Sequence, residues 1–130
     1  MFDEIFQAVR TLAISHASPY TTIDPGPLPT GNGLAIYPGP GYNQEKYFDR
    51  GGTYRVSIVL NGKDDDLGDV LPALSTIHKN LSRSKTYPTD TGWEIINIET
   101  GTAPHYIDRE ESGAWLCGSI LTVEFYVKGV

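Results

Sequence analysis

The sequence predicts an α+β fold, an antiparallel β-sheet with two α-helices packed on one face. Three observations predict it: two stretches with apolar residues at helical spacing, several with two-residue alternation, and the order helix, strands, helix, strands joined by hairpin-length connections. The 130 residues make a single domain, 1–130. A chain of that size buries roughly two-thirds of its unfolded surface around one core.

From Phe2 to His16, Phe2, Ile5, Phe6, Val9, Leu12 and Ala13 form the stripe of an amphipathic helix. Ser18-Pro19 ends it, because the residue before a proline is pushed out of the helical region. Residues 19–43 hold six of the nine prolines and five of the fourteen glycines. They read as a Pro/Gly-rich loop region with one short strand at Leu34 to Tyr37. A segment of that length without regular structure usually carries function or orders against a partner.

After Gly51-Gly52, the residues Tyr54, Val56, Ile58 and Leu60 alternate with Thr53, Arg55 and Ser57 along a strand that Asn61-Gly62 is expected to close. Leu67, Val70, Leu71, Leu74, Ile77 and Leu81 then form a second helical stripe, with Asp64-Asp65-Asp66 at its positive N-terminal end. Taking Asp69 as the N-cap puts Pro72 in the first turn, where its missing N–H is tolerated. The last third reads as strands at Trp93 to Ile98 and Trp115 to Val127, with a short further element at Ala103 to Ile107. Along the last strand Trp115, Cys117, Leu121, Val123, Phe125 and Val127 share the core face. Gly118, Ile120, Thr122, Glu124 and Tyr126 share the other.

Ten Lys and Arg against sixteen Asp and Glu leave a formal charge of −6, which repels polyanions and acidic membrane surfaces. Sequence-specific nucleic-acid binding is not expected. No apolar run approaches the ~20 residues that span a bilayer, and the opening Met1-Phe2-Asp3-Glu4 is unlike a secretory signal, so the expected site of synthesis and action is the cytoplasm. The lone Cys117 excludes an intramolecular disulfide and any Cys-pair metal motif.

No catalytic, cofactor-binding or metal-binding residue is assigned. Asp64-Asp65-Asp66 lacks the spaced ligands and distal Glu of a calcium loop. His16, His78 and His105 show no metal-ligand spacing and read as surface or boundary residues. Cys117 reads as a small buried hydrophobe, and neither Gly31-Asn32-Gly33 nor Gly51-Gly52 belongs to a phosphate-binding loop. Glu110-Glu111 beside Ser112-Gly113 reads as a charged hairpin turn rather than an acid/base pair.

Eight tyrosines are more than a small core needs. Tyr54 and Tyr126 are assigned to packing. Tyr37, Tyr42 and Tyr47 with Phe48 cluster around the Pro/Gly region, where interface contact and plain exposure both fit them; tyrosine buries area at low entropy cost and keeps a polar tip. The candidate oligomer or partner interface is therefore Tyr37, Tyr42, Tyr47, Phe48 and Arg50, together with Glu110 and Glu111.

Read as one string, Lys46-Tyr47-Phe48-Asp49, the strand Tyr54 to Leu60, Lys63, the helix ending Leu74-Ser75-Thr76-Ile77-His78-Lys79-Asn80-Leu81, and Trp93 form one pattern. Thr102-Ala103-Pro104-His105-Tyr106-Ile107, Glu110-Glu111, Gly113, Trp115 and Val123-Glu124-Phe125-Tyr126 complete it. The pattern resembles the minor capsid proteins of siphophages and prophages of Gram-positive bacteria, which are similar to phage tail terminators. The likeness covers roughly residues 44–127 and rests on order and spacing together. Where that family tends to carry a Gln near the start of the second helix, this chain has Asp64 to Leu67.

The resemblance implies a structural, non-enzymatic virion protein at the head-tail junction, assembled in the host cytoplasm. It implies a homohexameric ring that caps the major tail tube protein, stops tube polymerisation and joins the tail to a head-completion or neck protein, with DNA passing through unbound. Another neck component, an adaptor or stopper, would share the size and charge. A monomeric binding module and a small enzyme are the readings from other classes. The enzyme would need a pocket with paired, shifted titratable groups, and the sequence offers no such pair.

Overall fold

The computed structural model describes residues 2–39 and 51–128. In chain order the elements are α1 (Phe2–Ile14), β1 (Ile23–Pro25), β2 (Gly33–Pro38), β3 (Gly52–Asp64), α2 (Leu67–Ser82), β4 (Trp93–Arg109) and β5 (Trp115–Val127). The strands form one five-stranded sheet in the order β1-β2-β3-β5-β4. β1 and β2 are parallel, and every other pairing is antiparallel. Both helices bury their apolar stripes on one face of this sheet, as the sequence predicts: Ile5 and Val9 from α1 and Leu74 and Ile77 from α2 join Ile36, Ile58, Leu121 and Phe125 in one core. No helix among the described residues is long and apolar enough to cross a membrane.

Four local expectations are corrected. β3 does not stop at Asn61-Gly62 but runs on to Asp64, paired with β2 through Leu34↔Gly62 and Gly33↔Lys63. Gly62 is there for close approach, since a Cβ on it would stand 2.4 Å from Val70 Cγ2 and 2.8 Å from Leu34 Cδ2. Gly62→Ala is expected to cost about 1–3 kcal/mol by overpacking the seam between β3 and α2. A urea midpoint equal to that of the parent would refute this.

The second correction is the start of α2. Asp66, not Asp69, is the N-cap: its Oδ1 accepts from Gly68 N at 2.8 Å. Pro72 therefore lies in the second turn, where it removes a backbone bond, and the helix holds because Val70, Leu74, Ile77 and Leu81 are buried. Third, Ile23–Pro25 is an unexpected strand inside the Pro/Gly region, with Ile23 fully buried. Fourth, β4 is continuous through Gly101 and Pro104 where two elements were expected; four register irregularities let it keep pairing with β5.

The alternation of β5 is as predicted from Cys117 to Val127, but Trp115 is half-buried rather than core. Trp115 stands outside the core cluster and packs edge-on to Tyr106 across its own hairpin, with ring centroids 5.5 Å apart. The Arg109 guanidinium lies 4.5 Å over its ring. Trp115→Ala is accordingly expected to cost about 1–2 kcal/mol, the loss of one aromatic pair and one cation–π contact. Thermal denaturation would test it.

Candidate interface

The register defines two ends of the sheet. At one, which we call the tip, Asp64 and Arg109 both pair with Trp115, and α2 begins. At the other, the base, Gly52 and Trp93 both pair with Val127. α1 starts at the base, where Glu4 accepts from Trp93 Nε1 at 2.8 Å.

The acidic run Asp64-Asp65-Asp66 is built into the tip as structure. Asp64 is buried and accepts from the Tyr20 hydroxyl, while its Oδ1 accepts from Asp66 N at 2.9 Å. Burial and this carboxylate together push the Tyr20 phenol well above its ordinary value. Asp65 N donates to Asn32 Oδ1 and Asp66 caps α2, so the run orders the β3–α2 connection. Among the described residues no three His, Cys, Asp or Glu side chains are grouped to hold a metal.

Of the seven interface candidates, Tyr42, Tyr47, Phe48 and Arg50 lie outside the described residues. Tyr37 lies on β2 opposite Val59, half-buried, and its hydroxyl accepts from Asn61 Nδ2 at 3.3 Å. It belongs to the sheet face that carries no helix, with Val59, Ile120 and the Arg55–Glu124 ion pair (2.9 Å). Glu110 and Glu111 do sit in a hairpin turn, closed by Glu110 N→Ala114 O and Gly113 N→Glu110 O, both 2.8 Å. Glu111 is exposed, whereas Glu110 pairs with Lys63 at 3.3 Å. Tyr37 and Glu110 are therefore separate: Lys63 lies about 13 Å further along β3 than Val59.

Lys63 is the residue the sequence reading passed over. It is 7% exposed, and its Nζ also donates to the Thr30 carbonyl at 3.2 Å. An open cleft of about 490 Å³ lies here, lined by Thr30, Asn32, Lys63, Asp65, Glu110 and Ser112. Among the described residues that line it the one cation, Lys63, is already matched by Glu110, so the arrangement fastens the hairpin turn to β3 and the β2 approach.

The histidines divide. His105 is exposed on β4, and His16 is half-buried after α1. His78 departs from the expected boundary placement: it is buried in α2, with Nδ1 2.9 Å from Thr100 Oγ1 and Nε2 without a hydrogen-bond partner. Burial lowers its pKa from 6.5 to about 4. A helical position three before Leu81 and four after Leu74 could have placed it in the core stripe. Cys117 is buried as expected, and burial pushes its thiol up, away from reactivity.

Charge is distributed unevenly. The tip carries Asp64-Asp65-Asp66, Asp69, Asp108, Glu110 and Glu111 against Lys63 and Arg109. The base carries Lys79, Arg83, Lys85 and Lys128 with Asp3, Glu4, Asp90 and Glu94, which balance. Among the described residues the four exposed large hydrophobic side chains also fall in two groups: Tyr106 and Ile107 in the tip half of β4, and Ile96 and Tyr126 towards the base. No protein-family model matches the chain, and no curated protein is similar to it.

Proposed function

We propose that this protein is a phage tail terminator, a ring-forming structural protein that caps the tail tube, stops its polymerisation and provides the joint to the head. The observation that carries the reading is an agreement of fold with resemblance. The residue pattern between roughly 44 and 127 implies a helix-flanked antiparallel sheet, and residues 52–127 are such a sheet. Two further features support it. α1 and α2 cover one sheet face, and among the described residues Tyr37, Val59 and Ile120 are half-exposed on the other, where contacts can form. The excess negative charge suits a passage that must not hold DNA.

On this reading the protein acts by assembly rather than catalysis. Its partners are further copies of itself, the major tail tube protein and a head-completion protein, and its place is the head-tail junction of the virion after assembly in the host cytoplasm. Native mass spectrometry, alone and with purified tail tube protein, is expected to show a ring of six. Phage lacking the protein should make overlong, headless tails by electron microscopy. A strict monomer both alone and on tubes would refute the reading. Headless tails of normal length would turn it towards the neck adaptor or stopper.

A further inference from the structure

We draw no further inference here: the strongest candidate, the helix-free face of the sheet where Tyr37, Val59 and Ile120 stand half-exposed in one row across β2, β3 and β5, carries none because nothing in the structure shows what covers it.

Discussion

Phe125→Ala should lose about 3–5 kcal/mol of stability, a large part of what a domain of this size possesses. Phe125 is fully buried near the base end of β5, between Tyr54 on β3 and Ile95 on β4. Its ring stacks on that of Tyr54, with centroids 6.0 Å apart and planes 30° apart. Truncation removes the apolar area and leaves a cavity that a sheet paired on both sides cannot close, since both neighbouring strands are fixed by their ladders. The melting temperature should fall by roughly 10–20 °C in a domain of this length. A loss no larger than that of Trp115→Ala would mean that the core does not centre on β5.

That contrast marks how far the sequence could be read. Period-two alternation placed Phe125 and Trp115 on one face, which the register bears out, but periodicity does not say where the covering layer ends. Trp115 is left out of the core cluster and packs on Arg109 and Tyr106 instead. The same limit explains the errors at Gly62, Gly101 and Pro104. Read locally, glycine and proline mark turns; here Gly62 is small because α2 presses on it, and Gly101 and Pro104 are taken up by irregularities in a strand held only on one side. Ile23–Pro25 escaped notice because three residues carry no period, and its partner is eleven residues downstream at Leu34. Of the candidate interface, the Glu110-Glu111 turn was legible from Ser112-Gly113. The anchoring of Glu110 by Lys63 was not, because it joins residues far apart in the chain.

His78 gives the other large effect. Its ring is buried between α2 and β4 with one nitrogen unpartnered, so the folded state strongly prefers the neutral form. The pKa is about 4 when folded and near 6.5 when unfolded. The folded value is the lower one, so the unfolded chain binds the proton more readily, and stability present above pH 6.5 is lost as the pH falls towards 4. At pH 4.5 the two values imply a loss of about 2.5 kcal/mol relative to pH 7 from this one side chain. Carboxylates also begin to titrate there, so the measurement is a comparison. Urea midpoints of the parent and of His78→Leu are taken at pH 7 and pH 4.5, and the variant should lose less by about that amount. The Leu side chain abandons the bond to Thr100 Oγ1, which shifts stability at both pH values and leaves the difference between them intact. Equal losses would show that the His78 ring is already solvated enough to carry a proton in place, and that the α2–β4 seam is looser than its packing indicates.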